Sequence, residues 1–478
     1  VGSGANLYGY YMFHGGTNPV GKLGYLNETQ DTGYPNDVGL LGYDFHAPLG
    51  QYGQARPSFG RLRTLHLFLA AFGEVLAPME AALADGANVD ATDRSRLRVA
   101  LRGAGDEAYV FINNHVRHYP QPDFCQVGLT VSGASGEVSL PVADFPSGYY
   151  GIWPVGHRIG GALMRYATLQ PLTRWSEDGR MTWVAFSQPG QLARMCFDAA
   201  SVKLGNAEGV AVRESGADLI LDFSTKEKVQ RVSIFDADGF EHTLIVLSQA
   251  AADQTGRMRV LGRERLILSS HMLFQQGETL VLNAPTHEPA GLQIFPGEDL
   301  LADIDLHGFA EWHFAADSVA HEAGIEVVRD ASPAPVVKFG THISWRTGPV
   351  PLMPGDEEFA AASRVRIDIP AELKAHVGRV ELEVDYVGDM ARLYADGVLV
   401  DDKLYDGEPW LIGVDRFVRE GRWPELELQI LPVPSEFAVF MEDAAREHLR
   451  VATGRGGINR MQIRAWREIP VVPQFQRG

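Results

Sequence analysis

The chain has 478 residues, 45% hydrophobic and 22% charged, which is enough apolar material for several cores and too much for one small domain. Its 61 acidic residues outnumber 42 lysines and arginines, and the net charge of −19 repels nucleic-acid phosphates and anionic lipid headgroups. No stretch has the apolar length of a membrane helix. We therefore expect a soluble globular protein with neither a nucleic-acid nor a membrane partner.

The chain begins with a predicted β/α unit. Residues 7–13, LYGYYMF, are a compact apolar and aromatic run that predicts a strand buried on both faces. Residues 57–72 predict an amphipathic helix, with Pro57 in its first turn and Gly73 just past its end. The apolar positions at helical spacing are Leu62, Leu65, Leu69 and Phe72. A parallel strand needs neighbours on both edges, and nothing downstream repeats the pattern, so we expect those neighbours before Val1.

After a small, polar stretch at 81–93 that we interpret as a linker, most of the chain is predicted to be β. Its 51 glycines and 27 prolines fall at short intervals between segments rich in Val, Ile, Leu, Tyr and Phe. Strict alternation of apolar and polar residues predicts half-buried antiparallel strands. These lie at 96–102, 109–113, 364–369, 380–387 and 425–431.

One glycine-rich motif imitates a cofactor site. Residues 103–108, GAGDEA, fit a G-x-G-x-x-A dinucleotide pattern, but a strand-like segment follows where the motif requires a helix. We therefore expect a hairpin turn there, and no cofactor.

The histidine, aspartate and cysteine patterns predict neither a metal site nor a disulfide framework. The histidines of HVRH (115–118) and the aspartates of GDMARLYADG (388–397) come without the further ligands that a metal site needs. We expect turn and surface roles for them, and no metal. Cys125 and Cys196 are too few for a disulfide framework and are predicted to be buried free thiols.

The first 75 residues resemble a known family. NLYGYYMFHGGTNP (6–19), GYDFHAPLGQYGQARPSF (42–59) and LRTLHLFLAAFGEVLAPM (62–79), in this order, closely resemble the end of the catalytic barrel in glycoside hydrolase family 35. These β-galactosidases belong to the wider clan of (β/α)8 retaining glycosidases. The resemblance implies that residues 7–13 are the eighth barrel strand. It also implies that the chain is the C-terminal portion of a bacterial-type enzyme.

The same resemblance divides the chain. Residues 1–80 correspond to the C-terminal end of the TIM barrel, 81–199 to the first β domain and 341–478 to a jelly-roll sandwich. Residues 200–340 are predicted only as a β-rich region. The expected fold is therefore mainly β, with the last strand, loop and helix of a (β/α)8 barrel followed by several antiparallel β-sandwich or jelly-roll domains. Beyond the barrel, the matching stretches are 107–118, 149–172 and 384–417.

The candidate sugar pocket lies in the loop at 14–56. Active sites of such barrels are built at the C-terminal ends of the strands, and a loop of about forty residues is unusually long. The resemblance implies that Tyr11 reaches toward the nucleophile and that Tyr43 lines the pocket. Phe45 stands where many members have a second tyrosine and lacks its hydroxyl, and His46 stands where many have Asp or Gln. These four residues are the predicted substrate-binding set.

Adjacent strand residues face opposite sides, so one of Tyr10 and Tyr11 faces the barrel interior and the other faces the helices. The family alignment selects Tyr11 for the interior. The acid/base and nucleophilic glutamates of the family lie on earlier barrel strands, and neither motif occurs in this sequence. Glu28 and Glu74 are the nearest glutamates and are poor candidates. No catalytic residue is therefore assigned, and the chain alone is expected to be inactive.

Two functions remain open from the sequence. The first is part of a retaining exo-β-galactosidase that acts on terminal β-D-galactosyl residues, with a β-galactoside or galactan oligosaccharide and a missing N-terminal barrel segment as partners. The alternative is a non-catalytic carbohydrate-binding or scaffold protein that keeps a barrel remnant. The resemblance favours a secreted or periplasmic location, while the residues leave the compartment, cytoplasm included, and the oligomeric state open. The C-terminal aromatics Tyr386, Tyr394, Tyr405 and Trp410 are expected in the sandwich core.

Overall fold

The computed structural model describes residues 1–84, 90, 92–376, 378–435, 439, 441, 443–451 and 454–476. Within them the fold is mainly β, built from several antiparallel sheets, as predicted. The elements of the first 76 residues are β1 (Gly16–Thr17), a 3-10 turn (Gln30–Thr32), β2 (Gly42–Tyr43) and α1 (Pro57–Leu76).

The predicted strand at 7–13 is not formed. In the described chain these residues belong to no sheet, and the nearest bridge joins His14 to Leu49. Instead of being buried on both faces, Leu7 is 92% exposed and Tyr11 81% exposed. A strand persists only where its backbone N–H and C=O groups find partners, and no described strand lies beside this segment.

Helix α1 begins at Pro57 as predicted, but it ends at Leu76, beyond the predicted end. Gly73 therefore lies inside the helix. The extra turn buries the Leu76 side chain, which contributes roughly 1.5–3 kcal/mol and outweighs the cost of about 1 kcal/mol for a mid-helix glycine.

The buried face of α1 also differs from the predicted one. Phe68, Phe72 and Leu76 are buried, whereas Leu65 and Leu69 are only partly so. The aromatic rings Phe68 and Phe72 stack at 5.3 Å and fill a gap between two sheets, so the helix turns these larger side chains inward.

Two sheets enclose that helix. The eight-stranded sheet has the order β16-β17-β14-β11-β10-β5-β4-β3, and a five-stranded sheet has the order β12-β13-β19-β18-β15, in which β13 and β19 are parallel. The strands are β3 (Glu80–Leu83), β4 (Arg98–Ala104), β5 (Glu107–Asn113), β6 (Phe124–Val127), β7 (Thr130–Gly133), β8 (Gly136–Ser139), β9 (Ala143–Phe145), β10 (Tyr150–Ile159), β11 (Ala162–Ala167), β12 (Gln170–Glu177), β13 (Arg180–Ser187), β14 (Arg194–Asp198), β15 (Val202–Leu204), β16 (Ala211–Ser215), β17 (Asp218–Asp222), β18 (Val229–Asp236) and β19 (Glu241–Ser248).

These strands test several predictions. The strands expected at 96–102 and 109–113 are confirmed as β4 and β5, and GAGDEA is the hairpin between them. The stretch at 81–93 is not wholly a linker, because 81–83 belong to β3 and pair with β4, while 85–89 and 91 lie outside the described residues. Pairing of β14 with β17 carries the eight-stranded sheet across position 200, where a domain boundary was placed.

The middle of the chain forms a five-stranded sheet of order β20-β21-β24-β26-β25. Strands β22 and β23 leave it to join the C-terminal sandwich through β35 (Gly457–Val471). The elements are α2 (Gln249–Asp253), β20 (Thr255–Val260), β21 (Arg263–Leu268), β22 (Met272–Gln276), β23 (Thr279–Pro285), β24 (Ala290–Phe295), β25 (Asp303–Ile304), β26 (Ala310–Phe314), β27 (His321–Glu322) and β28 (Gly324–Arg329).

The C-terminal part is a sandwich of two packed sheets, of orders β28-β29-β34-β31-β32 and β22-β23-β35-β30-β33. The strands predicted at 364–369, 380–387 and 425–431 are confirmed as β29, β30 and β34. Because β28 pairs with β29, the sheet also crosses position 340. The elements are a 3-10 turn (Glu358–Ala361), β29 (Ser363–Asp368), α3 (Ala371–Lys374), β30 (Val380–Val387), β31 (Met390–Ala395), β32 (Val398–Leu404), β33 (Trp410–Gly413), a 3-10 turn (Val414–Phe417), β34 (Leu426–Ile430) and α4 (Asp443–Val451).

The sandwich aromatics follow the prediction in three positions of four. Tyr386, Tyr405 and Trp410 are buried in the core between the sheets, and Tyr394 is half-buried. The two cysteines differ in burial. Cys196 is a buried free thiol as expected, but Cys125 is exposed because it lies in a short two-stranded ribbon. None of the helices described here is long and apolar enough to cross a lipid bilayer.

Candidate functional site

The loop at 14–56 carries Tyr43, Phe45 and His46 and places Tyr43 against Tyr11. Strand β1 pairs with β2, with Gly16 opposite Tyr43, so the two ends of the loop lie side by side. A bridge from His14 to Leu49 closes the loop further along. Tyr11, Tyr43, Phe45, His46 and Glu28 form what we call the candidate pocket.

A chain of hydrogen bonds runs through the candidate pocket. The hydroxyls of Tyr11 and Tyr43 are hydrogen-bonded to each other, and the Tyr43 hydroxyl donates to Glu28 Oε1 at 3.0 Å. The bond to Tyr11, together with burial and the Glu28 carboxylate, raises the pKa of Tyr43 well above its usual value. Tyr43 therefore stays a neutral phenol that can donate a hydrogen bond. Among the described residues, Glu28 is the carboxylate bonded to this pair.

Tyr10 and Tyr11 point in different directions. The Tyr10 hydroxyl lies 2.6 Å from His66 Nε2 on α1, and the Tyr10 ring packs on Phe13. Tyr11 points away from the helix toward Tyr43. The two side chains therefore contact different elements, and the assignment of Tyr11 to a barrel interior stays a prediction.

Phe45 and His46 sit at a tight corner after β2, with positive φ angles of 49° and 54°. Such angles are uncommon for residues other than glycine and aim both side chains outward. The Phe45 ring meets the Tyr43 ring edge-on, with centroids 4.6 Å apart, and half of Phe45 is exposed. His46 Nε2 lies 2.5 Å from Asp406 Oδ2 of the C-terminal sandwich.

Asp406 is kept ionised. Burial alone raises its pKa, but the hydrogen bond to His46 and the charge of Lys403 outweigh burial and lower the pKa to about 2. Lys403 Nζ lies 2.9 Å from Asp406 Oδ1. A fixed anion from the sandwich therefore orients the imidazole of His46.

The loop itself is held by a buried carboxylate that sequence reasoning missed. Asp402 Oδ2 accepts from the backbone N–H of Leu40 at 2.6 Å, and Oδ1 accepts from those of Leu41 and Gly42 at 2.9 and 2.7 Å. These three donors hold the entry to β2 and thereby place Tyr43. A Cβ on Gly42 would lie 2.2 Å from the Asp402 carbonyl oxygen, so only glycine allows this approach.

Its neighbour Asp401 holds the far side of the loop. Asp401 Oδ1 accepts from Gln51 Nε2 at 3.0 Å, and Oδ2 accepts from the Tyr52 hydroxyl at 2.7 Å. Burial raises the pKa of Asp401 to about 7, against the opposing effect of these two hydrogen bonds. We call Asp401 and Asp402 the aspartate anchor. Both lie on β32, the edge strand of its sheet, which the loop covers.

A third aspartate organises the loop from within. Asp44 Oδ2 accepts from the backbone N–H of Gln51 at 2.6 Å, and Oδ1 lies 2.7 Å from Arg56 Nη2 and accepts from the His46 N–H at 3.1 Å. The corner that carries Phe45 and His46 is therefore fixed from both ends. Between this corner and β32 lies a cavity of about 200 Å³ lined by Phe45, His46 and Trp410 among others.

One signal in the sequence pointed to the anchor. Two adjacent aspartates inside a strand are costly unless each finds donors, so VDDKL (400–404) indicates a pair of carboxylates with partners elsewhere in the fold. Asp389 and Asp396, the two aspartates of GDMARLYADG, do not belong to the aspartate anchor. Asp396 forms an ion pair with Arg422 at a hairpin, and Asp389 is half-buried. In the described part of the chain, no group of three or more His, Cys, Asp or Glu side chains is placed to hold a metal ion.

No protein-family model matches the chain. It is similar to the structure of the Bacteroides ovatus mixed-linkage glucan utilisation locus protein SGBP-B in complex with a mixed-linkage heptasaccharide, at 11% identity and a TM-score of 0.18, over 73% of this chain and 88% of that one. It is also similar to the GH31 α-xylosidase of Xanthomonas citri, at 10% identity and a TM-score of 0.12, over 82% of this chain and 37% of that one. The chain thus spans little more than a third of that enzyme. Similarities this weak carry no argument about fold or function.

Proposed function

We propose that the chain is the C-terminal portion of a retaining exo-β-galactosidase of glycoside hydrolase family 35. It would supply the eighth barrel strand, part of the sugar pocket and the β domains that support the barrel. The observation that carries the proposal is that Tyr11, Tyr43 and Phe45, which the family resemblance selected, contact one another, with His46 beside Phe45 at the same corner.

The chemistry of the candidate pocket suits a galactosyl group. Galactose has an apolar C–H face and a rim of hydroxyls, so its site needs an aromatic ring and fixed hydrogen-bonding groups. Phe45 offers the ring, and the Glu28 carboxylate, which accepts the Tyr43 proton, has further lone pairs that can accept from sugar hydroxyls. The aspartate anchor holds the loop on both sides of Tyr43 and Phe45.

The exposed aromatic segment at 7–13 supports the barrel part of the proposal. Leu7, Tyr8 and Tyr11 are all more than half exposed, and contiguous exposed apolar surface of this kind marks a contact with another element. An inner barrel strand has this character when its two neighbours are not beside it. We propose that upstream barrel strands cover the segment.

The reaction would be two-carboxylate hydrolysis through a covalent galactosyl-enzyme, with acid/base and nucleophile about 5–5.5 Å apart. Both would come from the upstream strands. In this arrangement the Tyr11 hydroxyl orients the nucleophilic carboxylate, and Tyr43, Phe45 and His46 bind the sugar.

The test compares the complete natural protein with the 478-residue chain. We expect the complete protein to hydrolyse a nitrophenyl β-galactoside with retention of configuration, and the chain alone to show no turnover. Turnover by the chain alone would contradict the assignment of both catalytic glutamates upstream. A complete protein that binds galactosides without hydrolysing them would favour the non-catalytic carbohydrate-binding alternative.

A further inference from the structure

A cavity of about 850 Å³ lies outside the candidate pocket. We call it the distal groove. One wall is the segment at 335–354, another is the loop at 36–38, and the third is formed by the sandwich at Asp389 and Leu404. Its size is within the range of small-molecule and oligosaccharide sites.

The outer wall of the distal groove is held to the site loop by specific contacts. Gln30 Nε2 donates to the Pro351 carbonyl at 3.2 Å. Asp37 Oδ1 accepts from the Gln30 N–H at 2.7 Å, and its Oδ2 accepts from the Met353 N–H at 2.8 Å. The wall and the loop are therefore a built structure with a fixed separation, so the groove exists without a ligand to form it.

An exposed tryptophan stands on this wall. Trp345 is 69% exposed, and the Arg346 guanidinium lies 4.7 Å from its ring centroid. Arg346 Nη2 also donates to Asn36 Oδ1 at 2.9 Å, which joins the tryptophan wall to the loop. An indole held in this way with most of its surface in water is a stacking platform for the apolar face of a sugar ring.

The opposite wall provides an acceptor. Asp389 is half-buried, and no hydrogen bond from the described residues reaches its carboxylate. Burial raises the pKa of Asp389 to about 6. A carboxylate with no protein partner beside a cavity needs a ligand or water donor, and sugar hydroxyls are such donors. The nearby Lys338 is paired with Glu358 at 2.5 Å, and Arg346, which also lines the groove, donates to Asn36 Oδ1.

The distal groove and the cavity beside Phe45 and His46 share two lining residues. Val38 and Leu404 line both the groove and the cavity beside Phe45 and His46. The two spaces are therefore neighbours along the loop at 14–56 and β32.

We propose that the distal groove binds the remainder of a β-linked galacto-oligosaccharide, with one ring stacked on Trp345 and a hydroxyl donated to Asp389. The inference rests on the proposed function and adds a substrate class to it, namely oligosaccharides of three or more rings in preference to disaccharides.

The first test is isothermal titration of the 478-residue chain with β-1,3- and β-1,4-linked galactotetraose, and with galactose as the single-ring comparison. We expect saturable binding of at least one tetraose, weakened about tenfold or more by Trp345→Ala and less by Asp389→Asn. Tyr119→Ala, which removes an exposed aromatic on the first β domain, should leave binding unchanged. Absence of binding of both tetraoses, or equal binding by Trp345→Ala, would overturn the proposal, as would saturable binding of a proline-rich peptide instead.

The second test separates this inference from the proposed function. In the complete protein, Trp345→Ala should lower kcat/KM for the tetraose about tenfold and leave that for a nitrophenyl β-galactoside unchanged. An unchanged kcat/KM for the tetraose in the variant, relative to wild type, would refute the groove while the galactosidase assignment stands. A complete protein that hydrolyses neither substrate refutes the assignment, and the titration still decides the groove.

Discussion

The loop at 14–56 and the C-terminal sandwich meet at the candidate site, but they are stabilised in different ways. The sandwich has a continuous apolar core between two sheets, with Leu382, Leu393 and Leu428 fully buried. The loop has only two-residue strands and depends on polar contacts, above all with Asp401 and Asp402. The comparison shows that the geometry of the candidate pocket is set by a strand about 360 residues further along the chain.

The first prediction removes the main contact between the two regions. Asp402→Ala leaves the N–H groups of Leu40, Leu41 and Gly42 without their acceptor, at a cost of about 3 kcal/mol or more. We expect hydrogen exchange at these amides to speed up about 100-fold or more, while the amides of β30 stay protected.

Asp396→Ala is the matched control, because Asp396 lies at the hairpin of the same sheet and pairs with Arg422 away from the loop. Unchanged exchange at 40–42 in Asp402→Ala would show that the loop is held by other contacts.

The second prediction concerns pH. The folded-state pKa of Asp401, about 7, lies above its usual unfolded value near 4. The native state therefore binds the Asp401 proton more tightly than the unfolded state does. The stabilisation from the protonated Asp401 carboxyl is complete below about pH 4. It is lost as the pH rises to about 7, by up to about 1.4 kcal/mol per pH unit.

Asp401→Asn removes this titration and keeps the shape of the side chain. We expect the Tm of the variant relative to wild type to rise between about pH 4 and pH 7. A constant difference in Tm over this range would mean that the carboxyl does not titrate there. Asp402→Asn is not a suitable control, because its three hydrogen bonds would change as well.

The third prediction concerns the residue nearest to the expected chemistry. In the complete protein, Tyr11→Phe should lower kcat/KM about 10- to 150-fold, because it removes a positioned hydrogen bond to a charged group. This factor corresponds to a rise of roughly 1.5–3 kcal/mol in the activation free energy. Tyr43→Phe should act mainly through KM. Tyr10→Phe is the control, because Tyr10 faces His66, and a larger effect there than at Tyr11 would reverse the assignment of the two tyrosines.

The fourth prediction tests how closely the loop approaches the sandwich. Gly42→Ala places a Cβ 2.2 Å from the Asp402 carbonyl oxygen and should destabilise the loop by about 1–3 kcal/mol, measured by exchange at Leu40 and Leu41. Gly16→Ala is the matched control on the paired strand, where a Cβ meets nothing within 4 Å. Similar effects of the two substitutions would mean that the loop yields to the added methyl.

Part of this molecule could be predicted from local pattern alone. The strands β4, β5, β29, β30 and β34 follow from alternation, because each has one face on a core and one in water, and alternation records that difference. The hairpin at 103–108 follows from its glycines. The start of α1 follows from Pro57, but its end does not, because burial of Leu76 depends on the sheets around it.

The strand expected at 7–13 shows the opposite case. Its composition favours a buried strand, but a strand also needs backbone partners, and composition contains no information about them. The exposed Cys125 is a similar case, since burial of a thiol depends on the layer that covers it.

The sequence by itself predicted a mainly β fold, and its resemblance to a family selected four residues for a sugar pocket. Only the tertiary structure decided what holds those residues together. Asp401 and Asp402 act on the loop through backbone and side-chain donors far away in the sequence, and such contacts leave no local periodicity. Alternation and spacing report the environment of neighbouring residues, whereas a buried carboxylate is stabilised by whichever donors the fold brings to it.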